Sequence, residues 1–286
     1  MLHSFDRSGG DLSHVRNLSF GNFSHVGMIR SENQDSYGKF PEGNLDLNYP
    51  GGQLFIIADG MGGQNAGREA SRLAVRTLAE KYYAGERGEV VEDLRSSFAA
   101  ANEAIYRKST SGPEYHGMGT TCVALVLKNG HAFIGNIGDS RVYEIHQQGI
   151  TQLTNDHSKV AEMVRRGIIT KEEARTHPER SHLYRAMGPR PSAEVDFFDK
   201  IPVASNRWYL MCTDGLFNHV DDEEMRRVVL SSSPDKACRH LVQIANERGG
   251  TDNITVQVIH VNVSGTTFDP IARGKERLKS ILKAKK

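Results

Sequence analysis

The chain has 286 residues, of which 38% are hydrophobic and 25% charged, as is typical of a globular protein with a buried core. Its 36 lysines and arginines nearly balance 35 aspartates and glutamates, and the net charge of +1 excludes a global field that attracts nucleic acid or anionic membranes. Three widely spaced cysteines, no signal-peptide core and no membrane-length apolar stretch predict a cytoplasmic protein with reduced thiols.

The first part of the chain contains two predicted strands followed by two predicted helices. Residues 1–16 lack periodicity, which indicates a flexible N-terminal arm. Short apolar segments predict strands at Leu18–Val26 and Leu54–Ala58. Apolar residues then recur every three or four positions, which predicts helices at Arg68–Tyr83 and at 90–105.

The middle of the chain changes to the pattern of β-hairpins. Thr120–Leu127 and His131–Ile137 are rich in β-branched and apolar residues, and Asn129-Gly130 between them is a strong hairpin signal. Arg141–Ile145 and Ile150–Leu153 predict a second hairpin. We therefore expect antiparallel strands in this region.

The last part begins with a polar, helical stretch at 158–190, in which Thr170 and Glu173 have the spacing of a capping box. Its periodicity is lost around three prolines, which indicates a surface insertion over the site. The elements predicted after it are a strand at Trp208–Cys212, helices that start at Asp221 and at Ser233-Pro234, and a final strand at Asn253–Val263.

Hairpins and helix pairs occupy separate stretches, which favours an α+β layered fold over a parallel sheet built from βαβ units. We expect one domain at 17–264, followed by a basic C-terminal tail at 265–286. A solvated terminus is the simple interpretation of the tail. The alternative is a basic amphipathic helix that lies on an anionic surface.

Acidic residues recur where the predicted strands begin or end. Asp59-Gly60 and Asp214-Gly215 directly follow apolar strands, and a strand end fixes a carboxylate in position while leaving it open to solvent. The sequence also predicts Asp139 after one strand, Asp35 after an early strand and Asp252 just before the last one. A single Asp-Gly pair is usually a turn, but this repetition favours a metal site.

Converging carboxylates repel one another unless a cation lies between them, and ligands with oxygen atoms alone favour Mg²⁺ or Mn²⁺ over zinc. Two such ions are a known solution for phosphoryl chemistry, because they activate a water and neutralise phosphate oxygens. Arg30 is the candidate anchor for a phosphate, since a guanidinium can bind two of its oxygens. The alternative is a surface ion pair with Glu32 or Asp35.

Seven motifs resemble those of the metal-dependent serine/threonine protein phosphatases of type 2C, also called PPM, in their bacterial form. They occur in the family's order. The motifs are Gly27-Met28-Ile29-Arg30-Ser31-Glu32-Asn33-Gln34-Asp35, Ala58-Asp59-Gly60-Met61-Gly62-Gly63, Gly119-Thr120-Thr121, Asn136-Ile137-Gly138-Asp139-Ser140-Arg141, Thr154-Asn155-Asp156-His157, Cys212-Thr213-Asp214-Gly215-Leu216 and Thr251-Asp252-Asn253-Ile254-Thr255.

This resemblance implies a four-layer αββα sandwich, with two antiparallel sheets flanked by helices and a flap at about 158–195. It implies a first metal bound by Asp59, Asp214 and Asp252 and a second bound by Asp59 and the Gly60 carbonyl. A weaker third metal would bind Asp139 and Asp214. The implied catalytic residues are Arg30, Asp35 and Asp59, with Arg30 binding the substrate phosphate.

Three positions differ from the family pattern. Gln34 stands where many relatives have glutamate near the second metal, although Asp35 beside it keeps a carboxylate there. Met61 and Gln64 stand where relatives carry histidines, one of which is proposed as the general acid in eukaryotic members. Protonation of the leaving oxygen must then come from another group.

The implied function is hydrolysis of phosphoserine and phosphothreonine in proteins by a metal-activated water at a binuclear Mg²⁺ or Mn²⁺ centre. Such an enzyme would oppose a bacterial serine/threonine kinase and act as a cytoplasmic monomer on phosphorylated proteins. An alternative is a pseudophosphatase that binds phosphoproteins without turnover. The neutral net charge disfavours a metal-dependent nuclease.

Overall fold

A computed structural model describes residues 16–63, 65–85 and 89–263. Within them, two antiparallel β-sheets pack face to face, and helices cover both outer surfaces. This four-layer α+β sandwich confirms the predicted fold class. Residues 1–15 of the predicted arm, the predicted tail and Gln64 lie outside the described residues.

Groups of strands and groups of helices follow one another along the chain. The strands are β1 (Arg16–His25), β2 (Asp35–Phe40), β3 (Gln53–Met61), β4 (Gly119–Thr120), β5 (Cys122–Lys128), β6 (His131–Ile137), β7 (Arg141–His146), β8 (Gly149–Gln152), β9 (Asp196–Pro202), β10 (Arg207–Cys212) and β11 (Ile254–Val263). The α-helices are α1 (Ala66–Ala84), α2 (Val90–Ser109), α3 (Lys159–Arg165), α4 (Lys171–Thr176), α5 (Asp214–Phe217), α6 (Asp222–Ser231) and α7 (Pro234–Glu247).

One of the two sheets joins the first and last strands of the chain. The five-stranded sheet has the order β1-β11-β10-β7-β8, and the other sheet has the order β2-β3-β5-β6-β9, with the short β4 paired to β3. The N-terminal strand β1 therefore belongs to the sheet built mainly from the C-terminal half. It pairs with β11 along its full length, from Arg16 opposite Val263 to His25 opposite Ile254.

Alternation along the strands explains the layers. In β3, Leu54 and Ile56 face the layer of α1 and α2, whereas Phe55 and Ile57 face the other sheet. Strand β10 alternates in the same way, and its Tyr209 and Met211 face the space between the sheets. Strands that are buried on both faces are apolar along nearly their whole length, and this pattern is why the sequence predicts them.

Local signals in the sequence match the observed turns and caps. Asn129 and Gly130 have φ values of 51° and 75° between β5 and β6, as a two-residue hairpin turn requires. The side chains and backbones of Thr170 and Glu173 form the predicted capping box at the start of α4. None of the helices in the described part of the chain is long and apolar enough to cross a membrane.

Candidate metal centre

Four of the predicted aspartates line one cleft at the end where the two sheets meet. Asp59 lies near the end of β3 and Asp139 in the loop after β6, so both come from the sheet that contains β2. Asp214 follows β10 and Asp252 precedes β11, so both come from the five-stranded sheet. The cleft has a volume of about 400 Å³. Its lining also includes Arg30, Glu32, Gly60 and Met61.

The fifth aspartate, Asp35, does not lie at the end of a strand. It follows β1 in the chain, as predicted, but it begins β2 and stands opposite Asp59 in the sheet. Strand β1 already ends at His25, and Gly27, with a φ of 82°, starts the loop 26–34 that carries Arg30. Asp35 is buried and lines a separate groove between β2 and α1.

Asp35 joins the two sheets behind the cleft. One of its carboxylate oxygens, Oδ2, accepts hydrogen bonds from the hydroxyls of Thr255 at 2.6 Å and Thr213 at 3.1 Å. The other oxygen, Oδ1, is buried without a hydrogen-bond partner in the described structure. Loss of hydration raises the pKa of Asp35 to about 7, although the two hydroxyls oppose this rise.

The carboxylates of the cleft repel one another. The pKa values of Asp59 and Asp139 lie well above their ordinary range, because burial removes water from the charged forms and neighbouring aspartates add repulsion. Burial and the charge of Asp252 raise the pKa of Asp214 to about 6. Divalent cations would remove this repulsion by binding between the charges.

The donor set fits hard metal ions. Asp214 Oδ1 is a buried carboxylate oxygen without a hydrogen-bond partner among the described residues, and such an oxygen is available to a cation. In the described part of the chain, no three acidic, histidine or cysteine side chains are grouped closely enough to hold an ion.

Arg30 lies at the rim of the cleft and pairs with a predicted metal ligand. Its Nη2 donates to Asp252 Oδ2 at 2.8 Å, and 56% of its side chain is exposed. The predicted alternative of a pair with Glu32 or Asp35 is not what the structure shows. The hydrogen bond to Asp252 is the largest of the effects that raise the pKa of Arg30.

A buried asparagine fixes the loop that carries Arg30. The side-chain nitrogen of Asn253 donates to the backbone oxygens of Val26 and Glu32, each at 2.9 Å. Its side-chain oxygen accepts from the backbone nitrogen of Gln34 at 2.8 Å. Asn253 thus binds both ends of the loop 26–34 next to Asp252. The sequence motif contained Asn253, but nothing in the spacing indicated that it contacts residues more than 200 positions away.

Glu32, a carboxylate to which the sequence motifs assign no metal role, lies near Gln34. The side-chain nitrogen of Gln34 donates to Glu32 Oε1 at 2.7 Å, and Glu32 lines the cleft. The backbone oxygen of Gln34 accepts from the backbone nitrogen of Gly60 at 3.2 Å. Glu32 therefore places an acidic group close to the position where family members have glutamate in place of Gln34.

His157 supports the loop that carries Asp139. The backbone nitrogen of His157 donates to Gly138 O at 2.9 Å, and the backbone nitrogen of Gly138 donates to His157 Nδ1 at 3.1 Å. Since Nδ1 accepts, Nε2 carries the proton and donates to Asp196 at 3.1 Å. His157 therefore links the loop of Asp139 to Asp196 by hydrogen bonds.

Arg141 makes a structural ion pair with Asp156. Its guanidinium makes three hydrogen bonds to that carboxylate, at 2.6–3.1 Å, and packs 3.5 Å from the ring centre of Phe217. Arg141 also lowers the pKa of Asp139 by its charge, against the larger effect of burial.

Comparisons with known proteins point to a single family. The model of the protein phosphatase 2C family matches residues 31–252. The serine/threonine phosphatase stp of Listeria welshimeri is 40% identical over 243 residues, which cover 83% of this chain and 93% of that protein. Protein phosphatase PhpP of Streptococcus pneumoniae is 35% identical over 243 residues, which cover 83% of this chain and 95% of that protein.

Solved structures agree. The crystal structure of the serine/threonine phosphatase PstP/Ppp of Mycobacterium tuberculosis superposes with a TM-score of 0.76 at 32% identity, covering 86% of this chain and 99% of that one. The catalytic domain of PstP in complex with two manganese ions superposes with a TM-score of 0.74 at 29% identity, covering 86% of this chain and 99% of that one.

Proposed function

This chain belongs to the protein phosphatase 2C family, and we propose that its carboxylate cleft removes phosphate from phosphoserine and phosphothreonine in proteins. The reaction depends on divalent metal ions, as expected for a member of this family. The observation that carries the proposal is the convergence of Asp59, Asp139, Asp214 and Asp252 from two sheets on one cleft, with Arg30 at its rim. The pseudophosphatase alternative has no support from the relatives, which are named phosphatases.

We assign the ion ligands by residue. Asp59 would contact both of two ions, Asp214 and Asp252 would complete the first site, and the Gly60 carbonyl would contribute to the second. Asp139 would join Asp214 at a weaker third site. When bound, Mg²⁺ or Mn²⁺ supplies an activated water and neutralises charge on the phosphate.

The chain's own groups position the substrate. Arg30 would exchange Asp252 for two phosphate oxygens, because a guanidinium binds such oxygens as a fork. This exchange also frees Asp252 Oδ2 for an ion. Asp35 contributes as a buried carboxylate that holds Thr213 and Thr255, and through them the strands that carry Asp214 and Asp252.

We further propose the organisation and setting of the enzyme. The catalytic domain spans 17–264, the segment at about 158–195 forms a flap beside the cleft, and a basic tail follows at 265–286. The protein acts as a cytoplasmic monomer that opposes a serine/threonine kinase. The near-neutral net charge agrees with a protein substrate rather than a nucleic acid.

The test is metal-dependent turnover by the full chain. After treatment with EDTA, the protein should hydrolyse neither p-nitrophenyl phosphate nor a phosphothreonine peptide, and Mn²⁺ or Mg²⁺ should restore both activities. Asp59→Asn should abolish turnover and, in calorimetry, weaken Mn²⁺ binding by at least about tenfold. Asp235→Asn, an exposed residue on α7, is the matched control. A metal-saturated protein that binds the phosphopeptide without releasing phosphate would contradict the proposal.

A further inference from the structure

Two large apolar side chains are exposed directly beside Arg30. Met28 is 63% exposed and Ile29 is 71% exposed, the two highest values among the large hydrophobic residues that the structure describes. Single exposed apolar residues are common on proteins and need no explanation. Two consecutive ones that directly precede the proposed phosphate anchor are less common and suggest a binding role.

The backbone under these side chains is fixed. The backbone nitrogen of Met28 donates to Gly250 O at 2.7 Å. A side chain at Gly27 would collide with the backbone oxygen of Asp252, which lies 2.2 Å from the position of its Cβ. Asn253 holds both ends of the loop. Met28 and Ile29 are therefore presented to solvent by a well-anchored loop.

Met28 and Ile29 directly precede Arg30 in the chain. Arg30 lines the cleft, and consecutive Cα atoms are about 3.8 Å apart, so Ile29 lies one residue outside the proposed phosphate anchor. A substrate peptide in extended form advances about 3.3 Å per residue. Side chains one to three positions from the phosphorylated residue can thus reach Met28 and Ile29.

We propose that Met28 and Ile29 form an apolar platform that binds a bulky apolar side chain within three residues of the phosphorylated serine or threonine. This inference rests on the proposed function and specifies its substrate class. The phosphate group is the same in every substrate, so the polar cleft alone cannot distinguish one phosphoprotein from another. The platform supplies a further, apolar contact with the peptide. Selection among phosphoproteins then depends on the residues flanking the phosphate.

The experiment compares two phosphothreonine peptides that differ only in their flanks, one with leucine and one with serine at the neighbouring positions. Mn²⁺-loaded wild-type protein should have a kcat/KM about tenfold higher for the leucine peptide, as expected from partial burial of two apolar side chains. The double variant Met28→Ser, Ile29→Ser should reduce the ratio of the two values to about one. The single variants should each give part of this loss.

The matched control is Leu45→Ser. Leu45 is 43% exposed and lies in the loop after β2, at the end of that strand away from Asp35. This variant should keep the full preference for the leucine peptide. A wild-type protein without preference, or a double variant that retains it, would overturn the proposal. Loss of vesicle binding in the double variant with unchanged peptide preference would also overturn it, in favour of a membrane contact.

Turnover of p-nitrophenyl phosphate separates this inference from the proposed function. The small substrate has no peptide flank, so its hydrolysis by the wild-type protein reports the metal centre alone. If the wild type hydrolyses it but shows no peptide preference, the phosphatase assignment stands and the platform is wrong. If the wild type hydrolyses no phosphate ester with Mn²⁺ present, both are wrong.

Discussion

Arg30 has two competing anionic partners at the mouth of the cleft. In the structure it binds Asp252, and in the proposed reaction it binds the phosphate of the substrate. Because more than half of its side chain is exposed, the ion pair with Asp252 is screened by water and contributes little to stability. The substrate can therefore displace the carboxylate at low cost.

Arg30→Ala should lower kcat/KM for p-nitrophenyl phosphate by about 10²-fold, because an oriented donor to the reacting group is lost. Inorganic phosphate should also inhibit this variant more weakly. Arg30→Lys should recover only part of the loss, since an ammonium keeps the charge but not the fork geometry. Steady-state kinetics with phosphate as inhibitor measure both effects.

Arg239→Ala is the control for this series, since Arg239 forms an exposed pair with Asp235 on α7. Wild-type phosphate inhibition in Arg30→Ala would show that Arg30 does not bind the substrate.

The four aspartates of the cleft could be predicted from the sequence, because each lies beside a strand and the strands have strong apolar patterns. Their supporting residues could not. Asn253 and His157 act through hydrogen bonds to the backbone of distant segments, and no local spacing encodes such contacts. That Asp35 begins a strand was not predicted, because the mixed sequence of 35–40 has no clear strand pattern.

Two asparagines stabilise two different loops in the same way. Asn253 makes three hydrogen bonds to the loop of Arg30. Asn102 on α2 donates to the backbone oxygens of Arg190 and Pro191 and accepts from the backbone nitrogen of Gly188. Both side chains are buried, with 5% and 2% exposed respectively. One asparagine holds the proposed phosphate loop, and the other holds the last part of the proposed flap.

Asn253→Ala should destabilise the fold by about 1–3 kcal/mol, because buried backbone groups lose their partners. It should also weaken inhibition by phosphate, since Arg30 loses its fixed position. Asn102→Ala should have a similar effect on the free energy of unfolding but should leave phosphate inhibition unchanged. Urea unfolding and inhibition kinetics on the two variants measure the difference. Equal phosphate inhibition in both variants would refute the positioning role of Asn253.

The central strands could be predicted from the sequence, whereas the two edge strands of the sheet that contains β3 could not. Strands β3 and β5 are buried on both faces, so they are apolar along nearly their whole length. Strands β2 and β9 form the two edges of their sheet and are largely half-buried or exposed. Their mixed sequences resemble loops, and no strand was predicted at either position.

The site belongs to neither sheet alone. Asp59 and Asp139 come from one sheet, Asp214 and Asp252 from the other, and Asp35 links the two through Thr213 and Thr255. Packing of the apolar layer between the sheets therefore forces like charges together. Repulsion between these carboxylates lowers the stability of the folded protein, and bound cations would remove this repulsion.

The ion-free protein should lose stability as pH rises from about 4 to 7. Folding raises the pKa of Asp35 to about 7 and of Asp214 to about 6, so the folded state binds more protons than the unfolded state in this range. The free energy of unfolding should then fall by up to about 1.4 kcal/mol per pH unit for each carboxyl. Calorimetric Tm values in EDTA measure this decrease.

Mn²⁺ should reverse the trend, because ion binding needs the ionised carboxylates, and the increase in Tm should be larger at pH 8 than at pH 5. Asp35→Asn should reduce the pH dependence in EDTA, whereas Asp199→Asn, an exposed residue in β9, should not. A Tm that rises with pH in EDTA would show that these carboxyls are not destabilised by folding.

The pairing of β1 with β11 has a consequence for biosynthesis. A ribosome delivers β1 first, yet its partner strand is completed only at Val263, so the N-terminal strand must wait for almost the whole catalytic region to be translated. Asp252 also emerges late. If Asp252 binds an ion as proposed, a nascent chain is catalytically silent until translation has passed this point, and a prematurely terminated chain cannot release phosphate from any protein.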